Sequence, residues 1–215
     1  MTIRVLLAED QTMVREALAA LLGLEDDIEV VAQAASGEEA LAYAGRVAPD
    51  IALLDIEMPG SGGGQRDAGP DRDGEGIRVA ERLAADGFGG RVIILTTFDR
   101  PGYLSAAMSA GARGFLLKDA PVAELATAIR RVAAGDRVVD PGLAATALAT
   151  GPSPLTARES DVLRAAREPV SVADLGALLH LSPGTVRNHL SAAIQKLGAR
   201  NRADAVAIAD RKGWL

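Results

Sequence analysis

The first 136 residues alternate short apolar runs with segments in which apolar side chains recur at helical spacing. A short apolar run that ends on polar residues predicts a buried strand, and the intervening segments predict helices. Strands that alternate with helices imply a parallel sheet with right-handed crossovers. We therefore predict a doubly wound α/β domain whose five parallel strands lie at 3–8, 28–34, 51–54, 91–95 and 113–117.

Polar residues stand at the carboxyl ends of four of these strands, and the parallel arrangement brings those ends to one edge of the sheet. Taken singly, each residue has an ordinary explanation as a turn residue, a helix cap or a solvated side chain. Their convergence favours a functional site instead. The residues are Glu9, Asp10, Asp55, Thr96 and Lys118.

Carboxylates crowded at one sheet edge repel one another unless positive charge balances them. An oxygen-rich, acidic site suits Mg²⁺, and a nearby lysine adds a second positive group. An aspartate beside a metal ion can accept a phosphoryl group as a covalent nucleophile, and the metal and Lys118 then neutralise the added charge. We predict Asp55 as that acceptor, with the Thr96 hydroxyl directed at a phosphoryl oxygen.

Composition removes several other classes of chemistry. The chain has no cysteine, and its two histidines are His180 and His189, which excludes disulfides, thiolate zinc sites and cysteine nucleophiles. The sequence has no apolar run of about 18 residues and no basic, apolar leader pattern at its start, so we expect a cytoplasmic protein.

Charge is divided unevenly along the chain. Residues 1–150 hold 14 Lys and Arg against 23 Asp and Glu, a net charge of −9, whereas residues 151–215 hold 9 against 6, a net charge of +3. This division suggests different partners for the two parts. Proline and glycine predict a linker at 137–153, between domains at 1–136 and 154–215.

The last 60 residues predict four short helices. Thr156 and Glu159 have the spacing of a capping box, and a helix follows to about residue 166. Ser182 and Pro183 suit the start of the third helix. Two short helices followed by a capped, polar-faced third helix match a helix-turn-helix, although a small solvated bundle fits the pattern equally well. The later helices are expected at 172–179, 185–197 and 202–211.

Residues 1–136 resemble the receiver domain of bacterial two-component response regulators. The resemblance implies a flavodoxin-like fold and phosphorylation of Asp55 by a sensor histidine kinase. It further implies that Asp10 and Asp55 bind Mg²⁺ directly, Glu9 through water, and Glu57 through its backbone carbonyl. Thr96 and Phe115 would form the switch pair, and Phe115 equally suits core packing. The matching motifs are Glu9-Asp10, Asp55-Ile56-Glu57-Met58-Pro59-Gly60, Thr96 and Lys118.

Residues 152–215 resemble the LuxR/NarL-type DNA-binding domain. The matching motifs are Leu155-Thr156-Ala157-Arg158-Glu159, the run 181–190, and Lys196-Leu197-Gly198-Ala199-Arg200-Asn201-Arg202. We expect Val186 to face the core. The implied base-edge contacts come from Arg187, Asn188 and Ser191, and the implied phosphate contacts come from Thr185, His189, Lys196 and Arg200. His189 equally suits packing. The run 168–176 departs from the family pattern, which removes an expected lysine contact with the DNA backbone.

The two resemblances together indicate a NarL/FixJ-type response regulator, and its finer features resemble the subgroup paired with membrane-sensing kinases. We expect a non-enzymatic transcriptional regulator that, once phosphorylated, binds promoter half-sites as a homodimer. Dimer contacts would come from 12–22 and 121–134, or from 202–211. Two alternatives are a phosphorylation-independent regulator with a vestigial receiver, and an aspartyl-nucleophile phosphatase with Glu57 as general acid.

A glycine-rich insert at 61–72 departs from the receiver pattern. Receiver domains run from Met-Pro-Gly to an Asp-Gly within about a residue, whereas here twelve residues separate Gly60 from Asp73-Gly74. The insert is polar and lacks apolar periodicity, which predicts a surface loop. It is either a tolerated insertion, because loop length costs little free energy, or a gate beside Asp55.

Overall fold

The structure is a computed structural model that describes residues 2–59, 74–97, 101–151, 153–168 and 170–215. The insert at 61–72 lies outside the described residues. The chain forms two compact units that divide at about residue 145. Among the helices that the structure describes, none is both long enough and apolar enough to cross a membrane.

The first unit is built on a parallel sheet with the strand order β2-β1-β3-β4-β5-β6, so the predicted doubly wound α/β fold is confirmed. The strand number differs from our expectation, because the described residues form six strands where we expected five. The extra strand falls inside the predicted linker and has only two residues, too few to produce a sequence pattern. The strands are β1 Ile3–Ala8, β2 Ile28–Ala34, β3 Ile51–Asp55, β4 Arg91–Thr96, β5 Gly114–Leu117 and β6 Val138–Val139.

Six helices accompany the sheet, and their sequence explains where several of them begin and end. Ser36 caps α2 through the Glu39 N–H, and Gly135 ends α5 in the left-handed conformation. We did not predict α3, since it follows the insert directly and its start carries no signal from a preceding strand. The helices are α1 Thr12–Leu22, α2 Gly37–Val47, α3 Glu75–Ala85, α4 Pro101–Ser109, α5 Val122–Ala134 and α6 Pro141–Thr150.

The sheet is buried on both faces, because successive strand residues point to opposite sides. In β1, Val5 and Leu7 join one core while Leu6 and Ala8 join the other. The first core packs against α1 and α5, and the second packs against α2, α3 and α4. This double coverage leaves the strand ends as the place where polar groups can gather.

The second unit is a four-helix domain with its own apolar core. The predicted capping box is present, since Thr156 accepts from the Glu159 N–H at 3.3 Å and Glu159 accepts from the Thr156 N–H at 2.7 Å. The third helix begins at Pro183, two residues earlier than expected, because Ser182 caps it and proline suits the first turn. The helices are α7 Ala157–Ala165, α8 Val172–Leu179, α9 Pro183–Leu197 and α10 Arg202–Arg211.

Gly176 of α8 lies so close to the turn before α9 that no larger residue fits there. A Cβ at that position would lie 2.7 Å from the carbonyl oxygen of Leu181. The Leu181 N–H in turn donates to the Gly176 carbonyl at 2.8 Å. The close turn fixes α8 and α9 in the helix-turn-helix arrangement.

Candidate functional site

An acidic pocket lies at the carboxyl edge of the first unit's sheet. Asp55 ends β3 and is 3% exposed, and Glu9 follows β1 and is 1% exposed. One carboxylate oxygen from each of Glu9, Asp10 and Asp55 lies within 4.8 Å of the other two. Lys118 Nζ is 2.6 Å from Glu9 Oε2 and 2.8 Å from Asp55 Oδ2. The structure therefore gathers four of the predicted site residues around one point.

The backbone around the pocket is held by bonds between neighbouring strand ends. The Lys118 N–H donates to the Thr96 carbonyl at 2.8 Å, and the Glu9 N–H donates to the Ala34 carbonyl at 3.0 Å. Arg15 on α1 donates from Nη1 to the Glu9 carbonyl at 2.6 Å. We did not predict Arg15, because its role depends on a contact between the helix and the loop before it.

The electrostatics of the pocket depend on Lys118, whose ammonium is shared between two buried carboxylates. Burial raises the pKa of Asp55 to about 6, and the Glu9 charge adds to this effect, although Lys118 and the Glu57 backbone oppose it. Burial lowers the pKa of Lys118, but its pairing with Asp55 and Glu9 outweighs burial and raises it. Both pKa shifts follow from one arrangement, in which the ammonium of Lys118 is shared between two buried carboxylates.

The donor set of the pocket fits a divalent cation. Glu9 Oε2 is buried, and no described residue donates to it in hydrogen-bonding geometry, although Lys118 Nζ lies close by as an ion-pair partner. Mg²⁺ prefers hard oxygen ligands, and carboxylates supply them. Glu9, Asp10 and Asp55 are thus able to hold a cation of that class.

The two predicted switch residues lie in the interior of the first unit. Thr96 ends β4 and is 1% exposed, and Phe115 on β5 is fully buried. Phe115 belongs to the core beneath α2, α3 and α4, together with Tyr103 of α4. The packing interpretation of Phe115 therefore agrees with its position, and its switching role remains a prediction.

Gly76 is a site residue that our sequence analysis missed. A Cβ at Gly76 would overlap the carbonyl oxygen of Asp55, whereas a Cβ at Gly74 would meet no atom within 4 Å. The Gly76 N–H also donates to the Ile56 carbonyl at 3.1 Å. Gly76, rather than Gly74, therefore seats α3 on the strand that carries Asp55. The apolar spacing that begins at Ile77 could have indicated a helix here, but it does not single out Gly76.

The second unit presents a polar helix face on α9. Val186 is fully buried, which confirms its expected place in the core. Arg187, Asn188 and Ser191 are exposed. Thr185 Oγ1 lies 2.8 Å from Ser182 Oγ at the helix start. The three side chains assigned to base edges therefore share the solvent side of α9.

The remaining candidates for phosphate contact are half-buried or already have charged partners. His189 is half-buried. Lys196 Nζ lies 2.7 Å from Glu159 Oε2, and Arg200 Nε lies 3.0 Å from Asp204 Oδ2. Our sequence analysis missed both ion pairs. Glu159 lies on a different helix from Lys196, and Asp204 lies four residues after Arg200 in the chain. Any phosphate contact by Lys196 or Arg200 has to share the side chain with these carboxylates.

A doubly wound domain with this acidic pocket, followed by a helix-turn-helix domain, defines a response regulator of two-component signalling. The family descriptions agree: residues 5–130 match the response regulator receiver domain, and residues 153–209 match the bacterial regulatory proteins of the luxR family. The chain belongs to the response regulators that carry a LuxR-type DNA-binding domain, and it is a transcriptional regulator.

Individual relatives match the chain over nearly its whole length. The uncharacterised transcriptional regulatory protein YvfU of Bacillus subtilis is 45% identical over 213 residues, covering 99% of this chain and 100% of that protein. The transcriptional regulatory protein DesR of the same organism is 40% identical and covers 99% of each chain. A crystal structure of the response regulator ChrA, from a heme-sensing two-component system, has 35% identity, a TM-score of 0.55, and coverage of 100% and 99%.

Proposed function

We propose that a sensor histidine kinase phosphorylates Asp55 and that the phosphorylated chain binds promoter half-sites as a homodimer in the cytoplasm. The observation that carries this proposal is the single lysine shared between the buried carboxylates of Glu9 and Asp55. A receiver at 1–136 would take the signal and a DNA-binding domain at 154–215 would deliver it, with 137–153 connecting them.

The acidic pocket would hold Mg²⁺ through carboxylates of Asp10 and Asp55, through water on Glu9, and through the Glu57 backbone carbonyl. When bound, the ion supplies positive charge that stabilises the phosphoryl oxygens in the transition state. The clustering of the three carboxylates supports this assignment.

The residues of this chain would divide the work of phosphoryl transfer between them. An Asp55 carboxylate oxygen attacks the phosphorus, a new P–O bond forms, and the P–N bond to the kinase histidine breaks. Lys118, which lies 2.8 Å from Asp55 Oδ2, then pairs with a phosphoryl oxygen. Thr96 donates its hydroxyl to another phosphoryl oxygen, and Phe115 accompanies that movement as the switch partner. The chain keeps the phosphoryl group rather than turning over, so we assign it no enzymatic role.

DNA recognition would come from the exposed face of α9. Arg187 and Asn188 present the donor and acceptor groups that suit guanine and adenine in the major groove, and Ser191 lies beside them. Thr185, His189, Lys196 and Arg200 would contact phosphates and set the register of the helix on the duplex.

The exposed apolar face of α1 favours the first unit as the source of dimer contacts. Met13 is 81% exposed, Leu21 is 41% exposed and Leu24, just after the helix, is 78% exposed. Side chains of this size on one side of a helix are usually covered by a partner. In a symmetric dimer, the covering partner would be the same face of a second copy. The alternative face on α10 exposes alanines and charged side chains instead.

Selection of DNA sequences by the purified chain, with and without acetyl phosphate and Mg²⁺, tests the proposal. We expect a defined pair of half-sites to be enriched only with both reagents present, and expect Asp55→Asn to abolish the enrichment. Equal enrichment by the untreated chain and by Asp55→Asn would show that the chain is a phosphorylation-independent regulator. Repeated hydrolysis of a phosphate ester, with no phosphoryl group retained on the protein, would show that it is a phosphatase.

A further inference from the structure

Two arginines hold the connection between α7 and α8 against α10. One lies on α10 and donates to the connection, and the other lies in the connection and donates to α10. We call residues 166–168 and 170 the α7–α8 loop. Arg202, the first residue of α10, donates to the carbonyls of Ala166 at 3.2 Å and Val170 at 2.7 Å, and also to that of Glu168. Arg167 in the loop donates from Nε to Asp210 of α10 at 3.1 Å. Both residues are half-buried.

The guanidinium of Arg202 donates to three backbone carbonyls at once. The Ala166 carbonyl belongs to the last turn of α7, where unpaired carbonyls carry the negative end of the helix dipole. Arginine has a planar set of five N–H donors, so it can satisfy several such carbonyls at once, which a lysine cannot do. The contacts occupy all three guanidinium nitrogens of Arg202.

The position of the α7–α8 loop determines where α8 begins. Ser171 follows the loop directly and caps α8 through the Asp174 N–H at 3.2 Å. In a helix-turn-helix, the first helix of the motif lies against the DNA backbone while the second enters the groove. Because Gly176 of α8 packs directly against the Leu181 carbonyl before α9, we expect a displaced α8 to displace α9 as well.

This stretch has no positive side chain with which to hold a phosphate. Residues 168–176 contain no lysine or arginine, so contacts with the DNA backbone there must come from N–H and hydroxyl groups. Such short groups reach a phosphate only when the backbone is correctly placed. We infer that Arg202, together with Arg167, is a positioning residue for DNA binding that acts through the α7–α8 loop without touching DNA. This inference rests on the proposed binding of DNA through α8 and α9.

The test compares Arg202→Met and Arg167→Met with Arg200→Met in the full-length chain treated with acetyl phosphate and Mg²⁺. Methionine keeps much of the apolar stem but removes every donor. Arg200 is the matched control, since its side chain is 85% exposed and its carboxylate partner Asp204 lies in the adjoining turn of α10. Affinity for the selected duplex is measured by fluorescence anisotropy over a range of salt concentrations, at a temperature where Trp214 emission reports a folded domain.

We expect Arg202→Met and Arg167→Met each to weaken binding about tenfold or more with the salt slope unchanged, because no phosphate charge is lost. The double variant should be little weaker than either single variant, since both act on one loop. Arg202→Lys should recover only part of the affinity. Arg200→Met, by contrast, should lower the salt slope by about one if Arg200 pairs with a phosphate.

Two results would overturn the inference. A salt slope that falls by about one in Arg202→Met would assign it a direct phosphate contact, and an unchanged affinity in the folded variant would remove its positioning role. If Arg202→Met does not fold, Arg202→Lys and Arg167→Met decide the question by the same two criteria. Failure of the unmodified chain to bind any duplex would instead count against the proposed function.

Discussion

Lys118 makes ion pairs with two carboxylates that are themselves almost completely buried. Its ammonium lies within 2.8 Å of both Glu9 and Asp55, so it cannot fully compensate either. A buried carboxylate without full compensation is costly, and the raised pKa of Asp55 reflects that cost. A receiver site built this way favours the arrival of positive charge, and it favours a reaction that spreads the Asp55 charge over phosphoryl oxygens.

Asp55→Asn is expected to stabilise the first unit in the absence of Mg²⁺, by up to about 3 kcal/mol at pH 7.5, since the pKa of Asp55 rises from 3.8 to about 6. A carboxyl with a raised pKa binds more protons in the folded state. The unmodified chain should therefore lose stability as the pH rises from about 4 to about 6, and the advantage of the variant should vanish below about pH 4.

Calorimetry of the first unit's transition in EDTA, at pH 7.5 and at pH 4, measures this difference. The exposed Asp26→Asn is the matched control and should change stability by less than about 0.5 kcal/mol. Added Mg²⁺ should stabilise the unmodified chain more than the variant. An Asp55→Asn chain that is less stable than the unmodified chain at pH 7.5 would mean that Lys118 fully compensates the aspartate.

Residues at strand ends could be found from the sequence because one rule of α/β sheets brings them together. Glu9, Asp10, Asp55 and Lys118 all follow apolar runs whose type is easy to identify. Gly76 could not be placed in the same way, since its importance comes from a backbone approach between α3 and β3. Contacts of that kind depend on three-dimensional packing that no local pattern encodes.

At the scale of elements, Glu159 connects the first and third helices of the second unit. It completes the capping box of α7 and also accepts from Lys196, on the last turn of α9. Burial raises the pKa of Glu159, but the hydrogen bonds from Lys196 and Thr156 outweigh burial and the net shift is downward. The carboxylate therefore fixes the far end of the recognition helix to the start of the domain.

Glu159→Gln is expected to lower the stability of the second unit by up to about 1 kcal/mol at neutral pH, because glutamine keeps the capping geometry but replaces charge-assisted hydrogen bonds with neutral ones. The ion pair adds little, because more than a third of the Lys196 side chain is exposed. A carboxyl with a lowered pKa contributes stability above its unfolded pKa of about 4.5 and loses it as the pH falls below.

Urea unfolding followed by Trp214 emission, at pH 7 and at pH 3, measures that contribution. The difference between Glu159→Gln and the unmodified chain should shrink at pH 3. Glu168→Gln replaces an exposed carboxylate of the same unit and should leave the midpoint unchanged. An equal loss at both pH values would assign the effect to packing and not to charge.

Substitutions on α9 separate sequence recognition from general affinity. Arg187→Ala should cost about 1–3 kcal/mol on the selected duplex and little on a random one, because it removes a base contact. Lys196→Ala should weaken both duplexes alike and lower the salt slope by about one. Anisotropy titrations on both duplexes check the pair. A salt slope that does not change in Lys196→Ala would leave Lys196 with the single role of holding Glu159.

The sequence predicted most elements, since strands and amphipathic helices have characteristic periods. The bounds of α8 and α10 agree with the prediction, and β1 and β2 agree as well. The elements that escaped are β6, which is too short to show a period, and α3, which follows the insert. Local sequence patterns were enough to predict helices of several turns and strands with several alternating residues. They were not enough where an element forms only through pairing with distant parts of the chain.

At the scale of the whole molecule, the two units carry opposite charge and are assigned opposite tasks. The acidic part has a net charge of −9 over 150 residues, and the tail has a net charge of +3. A phosphoryl group adds negative charge to the acidic part, so phosphorylation cannot raise DNA affinity through charge alone. The activating effect must come from a change in population, and a dimer that engages two half-sites together gains affinity from the second contact.

Leu24→Asp tests whether the α1 face supplies that dimer. Because Leu24 is 78% exposed, the substitution should leave folding intact, and in a symmetric contact it places two new charges against each other. We expect the phosphorylated variant to remain monomeric by sedimentation at concentrations where the phosphorylated unmodified chain is dimeric. Affinity for paired half-sites should fall at least tenfold, whereas affinity for a single half-site should not change.

Leu148→Asp, at an equally exposed leucine on α6, is the matched control and should dimerise normally. If Leu24→Asp also dimerises normally on phosphorylation, the contact lies elsewhere, and α10 becomes the face to test next.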